Sequence, residues 1–327
     1  MKRRARATML LPLGWALLAA LLPAGAGAQS YPERPIRFVV PFAPGGGNDL
    51  IARLVGGKLA EIWNQQIVVD NRGGAGGNIG AEIAARANPD GYTIFLFNSA
   101  NAIAPSLYRN LSYAPLRDFD PVILVATAPF AVVVHPSTPA KSIRDLIALA
   151  KSKPKGLTYA SGGNGSATHL SALLFAQMAG IDMVHVPYKG AGPALIDLIA
   201  GQVTLYFSSI PPALPHVKAG RVRVLGITSK DRFPLLSEYP TLAESGVAGY
   251  QSESSYGIAA PDRTPAAIVR KLNDGFAQAL KDATVRSRLE GQGAIVVGGS
   301  AEDFRRYMKA EIALWAKVVK ASGARVD

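Results

Sequence analysis

The 327-residue sequence contains no cysteine. This excludes a disulfide scaffold and any cysteine-ligated metal site. The four histidines lack metal-ligand spacing, so we predict neither a metal nor a cofactor. Charged residues make up only 18% of the chain and hydrophobic residues 49%, a composition too apolar for a disordered protein. A chain of this length usually folds as about two domains.

Catalytic motifs are equally scarce. The sequence has no phosphate-binding P-loop, no H-E-x-x-H zinc motif and no G-x-S-x-G nucleophile elbow. Residues 74–80 form a glycine-rich run that is one residue too long for the dinucleotide fingerprint. We interpret this run as a tight turn between a strand and a helix, and we predict no catalytic residue.

The first 28 residues have the pattern of a secretory signal peptide. Four basic residues precede an uncharged run over residues 9–22, and Ala26-Gly27-Ala28 matches a small-residue cleavage site. The run is shorter than the ~20 residues that a membrane-spanning helix needs. We therefore predict cleavage near Ala28 and a periplasmic mature chain.

The chain is basic, with a formal net charge of +12, of which the signal peptide carries four positive charges. Such an excess is typical of a solvated basic surface, and it also suits an anionic small molecule. Export, and the lack of a long basic run interleaved with aromatic residues, argue against nucleic acid as a partner.

Strand and helix patterns alternate along the mature chain. Residues 36–40 form a short apolar run, and apolar residues at the spacing of one helical face follow it. The same alternation recurs after residue 130, and the C-terminal part is helical. We interpret residues 122–134 as two strands joined at Pro129. The alternation predicts an α/β fold with parallel sheets, helices on both faces and two lobes in close contact.

Two loops combine glycine with the start of a predicted helix. The first is Pro41-Phe42-Ala43-Pro44-Gly45-Gly46-Gly47-Asn48-Asp49. Glycine leaves backbone N–H groups approachable, and a helix N-terminus carries unsatisfied donors and about half a positive charge. These features favour a carboxylate or a phosphate, and an ordinary capped turn is the alternative. Asn48 or Asp49 is expected to cap the helix.

The second loop is Ser161-Gly162-Gly163-Asn164-Gly165-Ser166-Ala167-Thr168-His169. It has the same order of strand end, small polar residues and helix start. Ser166 and Thr168 add hydroxyl donors, whereas His169 in the first helical turn could cap, pack or contact a ligand. One such loop in each lobe, each at the carboxyl end of a strand, predicts a shared ligand site.

Eight segments then form one recognisable series along the mature chain. They are YPERPI at residues 31–36, PFAPGGGND at 41–49, NRGGAGGNIG at 71–80, PDGYT at 89–93, GNGSATH at 163–169, VPYKG at 186–190, ALPHVKAG at 213–220 and PTLAESG at 240–246. In content and order they closely resemble the tripartite tricarboxylate transporter substrate-binding receptors, also called Bug receptors.

This resemblance implies a two-lobed periplasmic binding protein of the type II-like class, with two parallel-rich sheets and a hinge of two crossovers. It implies a first lobe of residues 29–127 and 252–327 and a second lobe of residues 128–251. It further implies capture of a small carboxylate in the interlobe cleft, held by backbone amides and small hydroxyls.

Carried onto this chain, the resemblance implies ligand-binding residues in both loops and at neighbouring strand ends. They are Phe42, Ala43, Gly46, Gly47, Asn48, Asp49, Asn98, Ser99, Ser161, Gly162, Ser166, Ala167, Thr168, His169, Tyr188 and Ser208. Phe42 is expected to form an apolar wall of the cleft, with core packing as the alternative.

Three residues depart from the pattern of the family. Thr204 and Ser208 stand where an acidic residue is frequent, and Ser255 stands where tryptophan is common. A cleft without that tryptophan and acid is less suited to an ammonium group. A plain or aromatic carboxylate is therefore the preferred ligand class over an amino acid.

The combined prediction is a monomeric exported receptor that delivers a small organic anion to integral membrane transporter subunits or to a sensor. Two alternatives stay open at this point. One is a periplasmic hydrolase that uses Ser166 with His169, although no acid is identifiable to orient the imidazole. The other is a ligand-free adaptor for an exported or membrane partner.

Overall fold

The computed structural model describes residues 31–188, 190–322 and 325; the predicted signal peptide lies outside them. The strands are β1 (Ile36–Val40), β2 (Ile67–Asn71), β3 (Thr93–Asn98), β4 (Phe119–Val134), β5 (Thr158–Ser161), β6 (Val184–Pro187), β7 (Leu205–Ser209), β8 (Arg223–Ile227), β9 (Glu253–Pro261) and β10 (Ile295–Gly298). The helices are α1 (Gly47–Trp63), α2 (Asn78–Ala85), α3 (Ser99–Leu107), α4 (Ile143–Ser152), α5 (Ala167–Ala179), α6 (Ala191–Ile199), α7 (Ile210–Lys218), α8 (Ala266–Lys281), α9 (Ala283–Gly291) and α10 (Ala301–Ser322).

The strands form two groups that share β4, and each group is the sheet of one lobe. The first lobe has the order β2-β1-β3-β9-β4, with β10 also paired to β4. In the second lobe β4 pairs with β7 and β8, and β5 and β6 follow β7. The two-lobed α/β fold is confirmed. The predicted parallel ladders are present in both lobes, and the long strands β4 and β9 add antiparallel ladders, so both sheets are mixed.

Alternating residues of the strands build a core on each face of the sheet. In the first lobe Phe38 of β1 packs with Phe276 of α8 on one face. On the other face the neighbouring Val39 belongs to a cluster with Met308 and Trp315 of α10. Successive side chains of a strand point to opposite faces, so the four apolar residues of β1 contribute to the cores on both faces. Its one charged residue, Arg37, forms an ion pair with Asp70 of β2.

The strand β4 runs without interruption for 16 residues from one lobe into the other. The prediction of two strands joined at Pro129 is therefore wrong. Pro129 lies opposite Glu253 of β9, whereas the next residue, Phe130, lies opposite Ser209 of β7. Proline has no N–H to donate to a ladder, and it stands here where the strand exchanges one partner for another. The lobe boundaries predicted beside residues 128 and 252 stay predictions.

The directions of the strands place strand carboxyl ends of both lobes at the edges where the lobes face each other. Strands β3 and β4 both run antiparallel to β9, so the carboxyl ends of β1 and β3 lie at the edge where β4 leaves the first lobe. In the second lobe β7 runs antiparallel to β4, and β5 runs parallel to β7. The carboxyl ends of β5 and β7 therefore face back toward the first lobe. Among the described residues, no helix is both long enough and apolar enough to cross a membrane.

Two glycine substitutions test the packing of the first lobe. A Cβ atom on Gly257 of β9 would overlap the ring of Phe304, which is completely buried. We expect Gly257→Ala to lower the free energy of unfolding by about 1–3 kcal/mol because the ring must shift in a packed core. Gly57 is the control, since it lies exposed inside α1 with open space around its Cβ position. Gly57→Ala should raise that free energy by about 0.5–1 kcal/mol.

Urea denaturation of the three proteins measures both changes. A Gly257→Ala protein as stable as the wild type would contradict the assigned packing of α10 on β9.

Candidate functional site

Two helix N-termini meet at the interlobe edge of the first lobe. Strand β1 leads into α1, whose N-cap is Gly46, and β3 ends at Asn98, which caps α3 through its side chain. The Asn98 Nδ2 atom donates to Asn48 Oδ1 at 3.1 Å. Because β1 and β3 are adjacent and parallel, this bond holds the start of α1 beside the start of α3.

The end of β2 and the glycine-rich run after it support the first loop. Asn71 Nδ2 donates to the Phe42 carbonyl at 2.9 Å. The Phe42 ring lies against Gly77, where a Cβ atom would be 3.3 Å from the ring. Phe42 is half-buried. Its ring packs on the glycine-rich run, and part of the side chain stays accessible to solvent. Its role as a wall of the cleft stays a prediction.

The helix α1 is not capped as predicted. Neither Asn48 nor Asp49 is the N-cap, because both already lie in the helix after Gly46. Asp49 instead accepts the Gly45 N–H at 2.9 Å and pairs with Arg53 at 3.0 Å, and it is only 3% exposed. Burial would raise the pKa of Asp49, but hydrogen bonds from Arg53 and from the Gly45 N–H outweigh it and hold the pKa below its ordinary value.

The second loop has a closed hydrogen-bond network. The Gly162 N–H donates to Thr168 Oγ1 at 2.9 Å, and the Gly163 N–H donates to Ser161 Oγ at 3.1 Å. Ser166 is the N-cap of α5, and its hydroxyl donates to the Gly163 carbonyl at 2.7 Å. These bonds fix the loop without any charged side chain.

The first turn of α5 keeps free donors. The His169 N–H is used, because it donates to Ser166 Oγ at 3.3 Å. Within residues 161–169 the N–H groups of Ala167 and Thr168 have no acceptor. The N–H groups of the first turn have no acceptor inside a helix, so these two are available to an anion.

The His169 ring does not form a hydrogen bond with the Ser166 hydroxyl. Its Nδ1 atom accepts the Gly165 N–H at 3.1 Å, and its ring stacks on His185 with centroids 3.9 Å apart. The Ser166 hydroxyl bonds to the backbone. The spacing of three residues thus places both groups in one helical turn without forming a serine–histidine dyad.

Both stacked histidines are neutral at neutral pH. Burial, with a smaller contribution from His185, lowers the pKa of His169 to about 3. Burial also lowers the pKa of His185 to about 4. The His185 Nε2 atom lies 2.6 Å from Ser161 Oγ, so the pair supports the second loop at two points.

Contacts between the lobes bring the two loops into one region. The side chain of Leu107, at the end of α3, occupies the space where a Cβ of Gly165 would lie. The next residue, Tyr108, donates its hydroxyl to the Ala75 carbonyl at 3.2 Å. Residues 107–108 of the first lobe thus stand between the second loop and the glycine-rich run that supports Phe42.

The other predicted residues lie close to this region with different roles. Ser208, completely buried at the carboxyl end of β7, donates to the Ser209 carbonyl at 2.9 Å. Ser99 Oγ is 3.0 Å from Ser255 Oγ. The Tyr188 hydroxyl donates to Asp197 at 2.7 Å, so it is turned toward α6.

The departure at Thr204 does not affect this edge. Thr204 precedes β7 and bonds to Thr158, with 3.3 Å between the two hydroxyl oxygens. It lies at the opposite end of β7 from Ser208, about 13 Å away at the rise of a strand. The family difference at Thr204 therefore belongs to the far side of the second lobe.

Two tyrosines beside the helix starts were missed from the sequence. A Cβ on Gly47 would be 3.2 Å from the Tyr256 hydroxyl oxygen. Tyr206 is completely buried beside Thr168, and its hydroxyl makes no hydrogen bond of normal geometry with the described residues. No local pattern signals either one, since both lie in strands remote in sequence from the loops.

Two cavities, of about 680 and 340 Å³, lie away from this site. The first lies between residues 233–235 and residues 286–296, and the second lies between α1 and α9, beside the Lys58–Asp282 ion pair. Neither is lined by a residue of the two loops. The described part of the chain contains no cluster of three or more residues suited to a metal ion.

A two-lobed fold with helix N-termini gathered at the interlobe edge is that of a periplasmic substrate-binding receptor. Comparison with known families gives the same class. Residues 51–324 match the profile of the tripartite tricarboxylate transporter family receptor. The chain belongs to this family, which confirms the resemblance seen in the sequence.

Known relatives and solved structures agree with this assignment. The protein BugT of Bordetella pertussis is 35% identical over 320 residues, which cover 97% of this chain and 98% of BugT. The structure of R. palustris Rpa4515 with adipate is 41% identical, with a TM-score of 0.85 over 90% of this chain and 100% of that one. MatC of Rhodopseudomonas palustris with bound malate is 34% identical, with a TM-score of 0.82 over 88% of this chain and 100% of that one. The matched family is one of transporter receptors and not of enzymes, so the hydrolase alternative is wrong.

The stacked histidines predict a loss of stability in mild acid. An unfolded histidine titrates near its ordinary pKa of 6.5, whereas folded His169 stays neutral down to about 3. Below pH 6.5 the unfolded state therefore binds a proton that the folded state does not bind. The contribution to stability is complete above that pH and falls by up to about 1.4 kcal/mol per pH unit below it for His169. The less buried His185 adds a smaller loss in the same direction.

Urea denaturation between about pH 8 and about pH 5 measures this slope. His169→Asn should make the slope shallower, because one of the two neutral rings is gone. Gly57→Ala changes stability without removing a titrating group, so its slope should equal that of the wild type. An unchanged slope in His169→Asn would contradict the assignment.

Proposed function

We propose that this protein is an exported receptor that captures a small carboxylate between its lobes and delivers it to integral membrane transporter subunits. The observation that carries the proposal is the pair of helix starts, α1 and α5, at the facing edges of the two lobes. The family name supports a transporter as the partner, and a sensor is the alternative recipient. The signal peptide, the periplasmic location and the monomeric state are part of the same proposal.

Backbone donors would supply the attraction for the anion. Residues 41–49 and 161–169 contain no lysine or arginine. In α1 the N–H groups of Gly47 and Asn48 have no acceptor within residues 41–50, as for Ala167 and Thr168 in α5. A carboxylate shared by these donors would receive charge-assisted hydrogen bonds and the favourable ends of two helix dipoles.

Small hydroxyl and amide groups would complete the site. Asn98 ends β3 in the first lobe, and Ser161 and Ser208 lie at the carboxyl ends of β5 and β7 on the facing edge of the second lobe. Phe42 offers an apolar surface on the side of the first lobe. The bound adipate of Rpa4515 and malate of MatC support a plain carboxylate as the ligand class. Ser255 in place of a tryptophan leaves more room beside Ser99, which is compatible with an aliphatic dicarboxylate or an aromatic acid.

A thermal-shift series tests the ligand class. Adipate, malate and benzoate are the probes, and adipamide is the matched neutral control. We expect at least one carboxylate to stabilise the protein, by about 2.7 kcal/mol at one hundred times its dissociation constant, while adipamide has no effect. Equal stabilisation by adipamide would contradict the proposed anionic ligand class. No stabilisation by any small carboxylate in a wider library would contradict the proposal and favour a ligand-free adaptor.

A proline substitution removes a single proposed donor. Ala167 is the first residue of α5, where proline is tolerated, and Ser166 before it has φ −67° and ψ 156°, which suits a residue before proline. Ala167→Pro is expected to weaken carboxylate binding by about tenfold or more, because it deletes an N–H bond to a charged acceptor.

The same substitution elsewhere is the control. Ala283 is the first residue of α9, and Asp282 before it has φ −64° and ψ 125°. Ala283→Pro should leave the affinity of the carboxylate unchanged in isothermal titration calorimetry. Equal affinities of the two variants would show that the first N–H of α5 does not contact the ligand.

A further inference from the structure

The two loops share one structural device in spite of their different sequences. In the first loop Gly45 has φ +85°, Gly46 is the N-cap and the third helical residue, Asp49, accepts the Gly45 N–H at 2.9 Å. In the second loop Gly165 has φ +74° and is followed by the N-cap and by a third helical residue that accepts the Gly165 N–H at 3.1 Å. That residue is His169, so an aspartate and a histidine occupy equivalent positions.

The device fixes the loop that precedes each helix. A positive φ favours glycine, and the anchored N–H prevents that glycine from rotating toward other conformations. The third residue of a helix often bonds back to the residues before the helix. The bond satisfies a donor outside the helix and leaves the N–H groups of the first two helical residues free, as helix geometry requires. By fixing the preceding loop, it would keep those N–H groups in one direction.

A site for an anion must not present an uncompensated negative charge, and the two acceptors avoid one in different ways. Asp49 carries a negative charge, but Arg53 contacts both of its carboxylate oxygens at 3.0 Å. His169 is a neutral ring, and the titratable side chains that face it are the stacked rings of His185 and Tyr159. Each loop therefore gains a hydrogen-bond acceptor without presenting an uncompensated negative charge.

Burial separates these side chains from direct ligand contact. Asp49 is 3% exposed and His169 is 9% exposed. The completely buried Tyr206 hydroxyl lies beside Thr168 at the start of α5, without a hydrogen-bond partner of normal geometry among the described residues. An occupant at that helix start would satisfy this hydroxyl as well as the free N–H groups.

We propose that Asp49 and His169 are matched positioning residues of the two lobes rather than ligand contacts. Each accepts the N–H of its left-handed glycine and thereby holds the first-turn N–H groups of its helix in place for one shared anion. This inference rests on the proposed function, since it assigns how that site is organised.

Paired substitutions at residue 169 test the positioning role. Asn places an amide oxygen near the position of the histidine Nδ1 atom, so His169→Asn keeps the acceptor, whereas His169→Leu removes it. With adipate as the probe in isothermal titration calorimetry, we expect His169→Leu to bind about tenfold more weakly. His169→Asn should stay within about threefold of the wild type.

The same comparison applies to the first loop. Asp49→Asn keeps the acceptor, and Asp49→Leu removes it, with the same two expected results. Melting temperatures report whether each variant is folded, and Ala replaces Leu at either position where the larger side chain prevents folding. Rescue by Asn is the readout that separates an acceptor role from a merely structural one.

Amide exchange provides a readout that needs no ligand. In the free proteins, the Gly45 and Gly165 amide protons should exchange slowly in the wild type and in the Asn variants and faster in the corresponding Leu variants. Faster exchange together with unchanged adipate affinity would overturn the inference, and so would an Asn variant as weak as its Leu partner.

The outcome also separates this inference from the proposed function. If the wild type binds neither adipate nor any other small carboxylate, the proposed function fails. The positioning of donors for an anion then fails with it, and the exchange rates decide only whether Asp49 and His169 anchor the two glycines. Unchanged rates in the Leu variants overturn that anchoring, and selectively faster rates at the two glycines support it.

Discussion

The shared strand β4 is the constraint on which the geometry of this receptor depends. Its first part is hydrogen-bonded to β9, its second part is hydrogen-bonded to β7 and β8, and the exchange occurs between Pro129 and Phe130. Because a strand has a direction, this single element fixes the carboxyl ends of β1 and β3 opposite those of β5 and β7. The helices that follow these strands must then begin in the same region.

The proposed anion site, built from facing helix starts, would need few charged side chains. The free N–H groups are backbone atoms, so the chemistry of the site depends on loop conformation more than on side-chain identity. Residues such as Asp49 and His169 can therefore matter to binding while buried beneath the surface. The neutral state of the histidine stack follows from the same burial, which links stability in acid to the second loop, where we propose that the ligand binds.

Much of this site could be predicted from the sequence, because the two loops are contiguous. Three glycines after an apolar run and before a helical pattern located residues 41–49, and the same logic located residues 161–169. The cap of α1 was assigned wrongly, because a glycine has no side chain to mark it and Asp49 lies two residues into the helix. The role of Pro129 was misjudged, since a proline at an exchange of partners looks locally like a strand break.

The sequence by itself determined the family, the α/β class, the two glycine loops and the lack of lysine and arginine in them, because each depends on short runs of consecutive residues. Only the tertiary structure decided which strand joins the lobes, which groups lie across from each other and which side chains are buried. Tyr206, Tyr256 and His185 reach the loops through strand pairing over long sequence separations. The physical reason is that hydrogen-bond register and packing, rather than local propensity, place such residues.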